Sequence, residues 1–194
     1  GIGATSGMAV GYSSGTSIIT YVMPGGCITT RIVTVSPAPA VITGTASVCP
    51  TFSTTLSNAT PGGVWTSGNI STAIVNSSTG VVTGIAPGIA TISYSTSSGC
   101  AVTRVVTVQP LPAAISGSST LCVGSTVSLT SAVSGGVWTS SVPGVAGVSA
   151  STGVVTGIAT GTAVITYTPP TGCAATAGMT VNGMPAGITG GLSV

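Results

Sequence analysis

Short runs in which apolar and polar residues alternate recur along the chain, separated by turns rich in Gly, Pro, Ser and Asn. Phe52, Thr54 and Leu56 occupy alternate positions in one run, and Ile92 and Tyr94 do so in another. A period of two residues is typical of a half-buried β-strand, and the Val, Ile and Thr that dominate these runs favour strands. We see no run with the 3.6-residue period of a helix. The pattern therefore predicts an all-β chain.

The whole pattern returns after 73 residues. Gly-Gly-Val-Trp-Thr-Ser occurs at 62–67 and again at 135–140, and Ser-Thr-Gly-Val-Val-Thr-Gly-Ile-Ala occurs at 78–86 and again at 151–159. A fixed period of this size is the signature of a tandem array. It divides the chain into the C-terminal half of a module, two complete modules and the first strand of a following module, at residues 1–36, 37–109, 110–182 and 183–194.

Each complete module is predicted to contain seven short strands. In the second repeat these are 40–43, 51–57, 64–66, 73–75, 81–83, 89–95 and 100–108. Seven alternating strands with a Trp on the third are typical of a small immunoglobulin-like β-sandwich. We therefore expect tandem sandwich modules whose cores are anchored by the repeated aromatic residues Trp65, Trp138, Tyr21, Tyr94 and Tyr167.

The repeated motifs resemble a known family. Gly-Gly-Val-Trp-Thr-Ser, Ser-Thr-Gly-Val-Val-Thr-Gly-Ile-Ala and the Ala-Val-Ile-Thr-Tyr of 163–167 look like bacterial immunoglobulin-like group 2 repeats, across both complete modules and the partial first one. Such repeats occur in surface adhesins of the intimin and invasin kind and in long secreted repeat proteins. The resemblance implies extracellular, stalk-like domains at a bacterial cell surface. The chain departs from the family in lacking every acidic residue, which excludes calcium-stiffened linkers.

The composition argues against an enzyme. The chain has no Asp, Glu or His, so the usual proton-transfer groups and metal ligands are missing, and we expect no cofactor and no metal site. The two basic residues, Arg31 and Arg104, cannot neutralise enough phosphates to bind nucleic acid. They occupy equivalent strand positions, where the third repeat has Ala177, and we expect them to be solvated on a sheet face.

The surface chemistry is compatible with self-association and with glycosylation. A chain with so few charges has little electrostatic repulsion between copies. Asn58, Asn69 and Asn76 each begin a glycosylation sequon, although chance matches are common in so Ser- and Thr-rich a chain. No apolar run approaches the ~18 residues of a membrane-spanning helix. The chain does not start with a basic segment and an apolar core, so we expect that any secretion signal has been removed or lies upstream.

The two ends of the chain admit two interpretations. Residues 1–36 hold only the final strands of a module, and 183–194 hold only a first strand. Either the sequence is a window of a longer array, or the last strand of one subunit completes the first module of the next. A first strand alone would leave the second and third strands of that module missing, which favours the interpretation that the sequence is a window of a longer array. Both interpretations predict a head-to-tail filament, so the principal partner is the protein itself.

Five Cys in a chain of extracellular character suggest disulfides. The simple pairing lies within a module, Cys49 with Cys100 and Cys122 with Cys173. In an immunoglobulin-like topology, however, the turns that carry Cys49 and Cys100 lie at opposite ends of the sandwich, roughly 20 Å apart, and a disulfide needs Cα atoms within about 7 Å. We therefore predict a disulfide between Cys49 and Cys173 across the module junction, with Cys27, Cys100 and Cys122 paired outside this chain.

These observations together favour a structural protein. The expected function is an extracellular filament or surface stalk of head-to-tail modules, stiffened by disulfides and by prolines at the junctions. The alternative is a cell-surface adhesin module that binds glycans or proteins of a host or neighbouring cell. Its contacts would be Thr, Ser and Gly surfaces or the tyrosines, including Tyr12. The repeated tyrosines at equivalent strand positions fit a core role better.

Overall fold

The structure is a computed structural model of the chain and describes residues 7–185. Over this range the chain forms β-strands joined by turns, which confirms the predicted all-β class. No helix between these residues is long and apolar enough to cross a membrane. A first hairpin is followed by two immunoglobulin-like sandwich modules, in the order that the sequence repeat predicts.

The first hairpin consists of β1 (Gly15–Val22) and β2 (Ile28–Val35). The two strands pair antiparallel along their whole length, with Gly15 opposite Val35 and Val22 opposite Ile28. The turn between them is closed by two backbone hydrogen bonds, from Met23 N to Cys27 O and from Gly26 N to Met23 O, each 2.9 Å long.

The second repeat forms two four-stranded sheets. Its strands are β3 (Thr43–Gly44), β4 (Ser47–Val48), β5 (Ser53–Ser57), β6 (Val64–Ser67), β7 (Ala73–Val75), β8 (Val81–Gly84), β9 (Gly88–Ser95) and β10 (Ala101–Val108). One sheet has the order β4-β10-β9-β6 and the other the order β3-β5-β8-β7. Leu56 and Val82 from one sheet and Ile92 and Val106 from the other are fully buried, so the core lies between the two sheets.

The first strand of the second repeat differs from its prediction. The sequence predicts a strand at 40–43 that ends at Gly44, whereas the structure has β3 at Thr43–Gly44 in one sheet and β4 at Ser47–Val48 in the other. Of the predicted strand, only Thr43 lies in a strand. Gly44 permits this switch because its φ of 114° lies in a region that side chains rarely adopt. A Cβ at this position would also lie 2.4 Å from the carbonyl oxygen of Thr55. The chain therefore changes sheets at Gly44.

The third repeat repeats this architecture with one simplification. Its strands are β11 (Thr120–Cys122), β12 (Thr126–Ser128), β13 (Val137–Ser140), β14 (Ala146–Val148), β15 (Val154–Gly157), β16 (Gly161–Thr168) and β17 (Ala175–Asn182). The sheets have the orders β11-β17-β16-β13 and β12-β15-β14, with β11 parallel to β17. The counterpart of β3 is reduced to a single antiparallel bridge between Ser116 and Thr130.

The described residues form two compact units. The first contains residues 7–47, 52–85 and 89–107, and the second contains 48–51, 86–88 and 108–185. The short segment 48–51, which the sequence places in the second repeat, thus belongs to the second unit. The module bounds drawn from the sequence period remain a prediction.

The core role predicted for Tyr21 is not tested by the described residues, which hold only the final strands of its module. The Tyr21 side chain is 65% exposed, whereas the equivalent Tyr94 is 5% exposed. The cause lies in strand pairing, since β1 and β2 pair only with each other among the described residues. Between residues 7 and 185 no second sheet covers the face on which Tyr21 lies, and Ile18 and Ile32 on the other face are also exposed.

Candidate functional site

The cysteines are the candidate functional groups of this chain. Within residues 7–185 no cluster of three or more His, Cys, Asp or Glu side chains could hold a metal ion. One disulfide is present, between Cys49 and Cys173, with an S–S distance of 2.04 Å and a Cα–Cα distance of 5.6 Å. The predicted bond between the second and third sequence repeats is therefore formed, and both of its cysteines lie in the second compact unit.

Cys49 is held in place by its neighbours on both sides. The preceding Val48 is buried and accepts a backbone hydrogen bond of 2.9 Å from Gln109 N. The turn that follows contains Thr51, whose φ of 68° is left-handed. The third repeat has Gly124 at the equivalent position, with a φ of 80°. A β-branched residue in this conformation is unfavourable by roughly 1–2 kcal/mol, so the surrounding fold maintains the shape of this turn.

Cys173 lies just before the last strand of its module. The tight turn that precedes it is closed by a hydrogen bond of 2.9 Å from Gly172 N to Pro169 O. Its sulfur lies 3.9 Å from the carbonyl oxygen of Gln109, and the residue is only 1% exposed. Gln109 N also donates a hydrogen bond to Val48 O. Gln109 therefore contacts both Cys173 and the residue that precedes Cys49.

The simple pairing within each module is not formed. Cys100 and Cys122, which it would bond to Cys49 and Cys173, are both unpaired in the structure. Cys100 is half-buried, whereas Cys122 and Cys27 are exposed. The prediction that these three cysteines pair outside this chain is not tested by the structure and remains a prediction.

The repeated aromatic pairs lie in the two cores. Trp65 packs on Tyr94 with ring centroids 4.7 Å apart, and Trp138 packs on Tyr167 at 4.6 Å. All four residues are buried, in agreement with the sequence analysis. Burial of the two tyrosine rings removes them from the contacts available to an adhesin. Tyr12 and Tyr21 remain exposed.

The two tyrosine hydroxyls organise the turn before the Trp strand. Tyr94 donates to Thr60 O at 2.5 Å and accepts from Gly63 N at 2.8 Å. Tyr167 makes the same pair of bonds with Val133 O and Gly136 N. Gly63 is required here, because a Cβ would lie 2.3 Å from the Tyr94 ring. The repeated Gly-Gly before Trp thus accommodates the ring of a tyrosine from a neighbouring strand.

Replacement of Tyr94 by Phe should lower the free energy of unfolding of the first compact unit by about 1–3 kcal/mol, because Gly63 N and Thr60 O would lose their partner in a partly buried turn. Urea denaturation followed by the fluorescence of Trp65, in a Trp138→Phe background that leaves Trp65 as the only tryptophan, measures this loss. Tyr21→Phe is the matched control, and it should be neutral because that residue is exposed. Equal effects of the two substitutions would contradict the role assigned to the Tyr94 hydroxyl.

Arg104 is a functional side chain whose role the sequence analysis missed. The prediction of a solvated side chain is wrong for this residue, which is half-buried. Its Nη1 donates to Ile42 O at 2.6 Å and its Nη2 to Gly44 O at 2.8 Å, while its Nε is buried without a partner. The guanidinium thereby joins β10 to the backbone around β3 in the other sheet. Arg104 lies two residues before Val106, which is buried, so strand alternation places both side chains on the same face of β10. This alternation was the sequence signal that could have indicated a half-buried Arg104.

Substitution of Arg104 by Ala should destabilise the first compact unit by about 1–3 kcal/mol, since two carbonyls would lose a charged donor. The third repeat, which has Ala177 at this position, shows a shorter pairing of its first strand. Arg31→Ala provides the control, because Arg31 is exposed in the first hairpin. Thermal unfolding monitored by circular dichroism measures both, and a variant of Arg104 as stable as that of Arg31 would refute this role.

The three sequons differ in accessibility. Asn58 is half-buried, and its side chain bonds both Ala40 O at 2.5 Å and Thr60 N at 2.9 Å. Asn69 and Asn76 are exposed, and Asn76 uses only its oxygen, which accepts from the backbone of the following turn. Accessible amide nitrogens are thus found at Asn69 and Asn76. Glycosylation of any of the three stays a prediction.

Comparison with known proteins finds similar folds and no similar sequence. No protein-family model and no curated protein matches the chain. Domains 4 and 5 of the S-layer protein SbsC match with 19% identity and a TM-score of 0.37, over 75% of this chain and 99% of that chain. A C-terminal fragment of intimin, in complex with the intimin-binding domain of Tir, matches with 18% identity and a TM-score of 0.46, over 75% of this chain and 65% of that chain.

A glycan complex is also among the similar structures. The protein SGBP-B of the Bacteroides ovatus mixed-linkage glucan utilization locus, bound to a heptasaccharide, matches with 17% identity and a TM-score of 0.28. The match covers 88% of this chain and 53% of that chain. At these identities the similarity concerns the fold alone, and the immunoglobulin-like class follows from the strand order of the chain itself.

Proposed function

We propose that this chain is a structural protein whose immunoglobulin-like modules continue head to tail in an extracellular filament or surface stalk of a bacterium. The observation that carries this proposal is the disulfide between Cys49 and Cys173, which joins one sequence repeat to the next. A disulfide within each module would stabilise modules one by one, whereas a bond between repeats adds a cross-link from one repeat to the next. Disulfides of this kind persist in oxidising, extracellular environments.

The composition supports a mechanical role outside the cell. The chain offers no Asp, Glu or His for acid–base chemistry, so we propose no enzymatic activity. Its sparse charge permits close lateral contact between copies. The chain resembles bacterial immunoglobulin-like group 2 repeats in its Gly-Gly-Val-Trp-Thr-Ser motif, which the structure explains through the aromatic pair and the Gly-Gly turn.

Immunogold electron microscopy of the native cell surface and extracellular material tests the proposal. Antibodies raised against the 194-residue chain should label filaments at many points along their length. Label that is confined to filament tips would indicate an adhesin, and label found only on dispersed protein would rule out a structural filament.

An adhesin module is the second candidate, and the exposed aromatic residue Tyr12 favours it. The side chain of Tyr12 is 86% exposed. Flat aromatic rings of this kind bind sugars and protein surfaces. Binding of the chain to a glycan array, lost in a Tyr12→Ala variant, would support this candidate over the structural one.

Stability should be nearly independent of pH in the acid range. Acid unfolding arises when carboxylates or histidines change protonation between the folded and unfolded states, and this chain has none on its side chains. Only the terminal carboxylate titrates between pH 3 and pH 7. The melting temperature measured by calorimetry should therefore move by less than about 3 °C between these values. A shift of 10 °C or more would contradict this account.

A further inference from the structure

We propose that each cysteine left unpaired in this chain is half of a disulfide to an adjacent repeat, in the register of Cys49–Cys173. In that register the cysteine after the first strand of one repeat bonds the cysteine before the last strand of the next repeat. Cys122 then pairs with a following repeat, and Cys27 and Cys100 pair with preceding repeats. The inference rests on the proposed head-to-tail array and specifies the partner of each thiol as a repeat of the same kind.

Cys100 already occupies the position that Cys173 has in its bonded state. Its sulfur lies 3.9 Å from the carbonyl oxygen of Ser36, and the sulfur of Cys173 lies 3.9 Å from that of Gln109. The two contacts span the same number of residues in sequence, 64 in each case. The side chain of Cys100 is therefore oriented as in the bonded cysteine, without a partner to cover it.

The turns before these cysteines are also alike. Thr96 N donates to Cys100 O at 2.9 Å and Gly99 N donates to Thr96 O at 3.0 Å. The first hairpin has the same two bonds around Cys27, from Met23 N and from Gly26 N. Cys27 and Cys100 thus share one turn geometry, and Cys173 follows a turn closed by the corresponding glycine, Gly172.

Cys122 matches Cys49 on the other side of the proposed bond. The segment leading to Cys49 is held by a hydrogen bond of 2.9 Å from Thr107 N to Ala46 O. An equivalent bond of 2.8 Å, from Thr180 N to Ser119 O, holds the segment leading to Cys122. These bonds fix each cysteine at the end of a short strand that lies beside the last strand of its own module.

The turn after each of these cysteines has one conformation whether or not the cysteine is bonded. Thr51 and Gly124 both have a left-handed φ, of 68° and 80°. Thr51 follows a bonded cysteine and Gly124 an unbonded one. The backbone around Cys122 therefore needs no rearrangement to adopt the bonded arrangement. Its thiol is exposed, as access by an incoming cysteine requires.

The chemistry of closure is an oxidation of two thiols. One thiolate attacks a disulfide of an oxidant, such as a thiol–disulfide oxidoreductase, and forms a mixed disulfide. The second thiolate displaces the oxidant from it, so that one S–S bond forms between the repeats and the oxidant leaves as a dithiol. The two protons of the cysteine thiols and two electrons pass to the oxidant. Each interior repeat would then be bonded to both of its neighbours.

Differential alkylation of native filament material tests this proposal. The sample is denatured without reductant and treated with iodoacetamide, then reduced and treated with N-ethylmaleimide, and digested with chymotrypsin because two Arg and no Lys leave trypsin few sites. Cys27, Cys100 and Cys122 should carry the second label, as Cys49 and Cys173 do. Iodoacetamide on Cys27, Cys100 or Cys122, or a peptide pair linking Cys100 to Cys122 of one chain, would overturn it.

The test separates this proposal from the proposed function. If electron micrographs show labelled filaments but these cysteines carry iodoacetamide, the proposed filament would be supported and the proposed repeated cross-link would be refuted. The reduced, denatured mass identifies the source of the partner repeat. A mass near 18.2 kDa assigns the partner to a second copy, and a mass several times larger assigns it to the same polypeptide.

Discussion

Replacement of both Cys49 and Cys173 by Ala should lower the free energy of unfolding of the second compact unit by about 4 kcal/mol. The bond closes a loop of 124 residues in sequence, and the chain-entropy relation gives a loop of this length about 5 kcal/mol, at the upper end of the usual range. Ala is the suitable replacement because Cys173 is only 1% exposed and a small apolar side chain suits a buried position. Loss of the Cys173 sulfur removes little packing energy in comparison with the loss of the cross-link.

Urea denaturation followed by tryptophan fluorescence measures this effect. A Trp65→Phe background leaves Trp138 as the only tryptophan, so that the signal reports the second compact unit alone. Cys122→Ala is the matched control, and its effect should stay within about 0.5 kcal/mol because the residue is exposed and unbonded. A loss below about 1 kcal/mol for the double variant would show that the cross-link adds little to the fold.

Substitution of Trp138 by Ala should destabilise the third repeat by about 3–5 kcal/mol. The side chain is 5% exposed, packs on Tyr167, and lies against the backbone of Gly153, where a Cβ would come within 2.8 Å of the indole. A domain of this length is stable by only about 4–11 kcal/mol in total. The loss of one ring therefore removes a large share of the stability of this module.

Hydrogen exchange read by NMR resolves where this loss occurs. Amides of β16, which carries Tyr167, should exchange much faster in Trp138→Ala, while those of β9 in the first compact unit keep their protection. Trp138→Phe is the matched variant and should lose only about 1–2 kcal/mol, because most of the buried area is retained. Uniform loss of protection in β9 and β16 would show that Trp138 stabilises more than its own module.

The sequence predicted the features that repeat, because repetition makes weak local signals visible. The strands from the Trp strand onward lie within one or two residues of their predicted bounds, and Trp65 and Trp138 are buried. The disulfide between Cys49 and Cys173 was predictable from topology, since an immunoglobulin-like sandwich places the two intramodular cysteines at opposite ends. This argument needed only the strand order, and no side-chain detail.

The features that the sequence analysis missed depend on contacts between distant residues. The division of the first strand between two sheets arises at Gly44, where alternation alone gives no signal. Arg104 was expected in solvent, but its guanidinium finds two carbonyls across the sandwich. The exposure of Tyr21 in this chain does not test its predicted core role, since the described residues hold only the final strands of its module.

Identification of the partner of Cys49 in the native protein tests the central claim, that a disulfide cross-links successive repeats, most directly. Chymotryptic peptides prepared without reduction and analysed by mass spectrometry should contain the peptide of Cys49 linked to that of Cys173. A peptide of Cys49 linked instead to Cys100 would place the bond inside one module and contradict the cross-linked array.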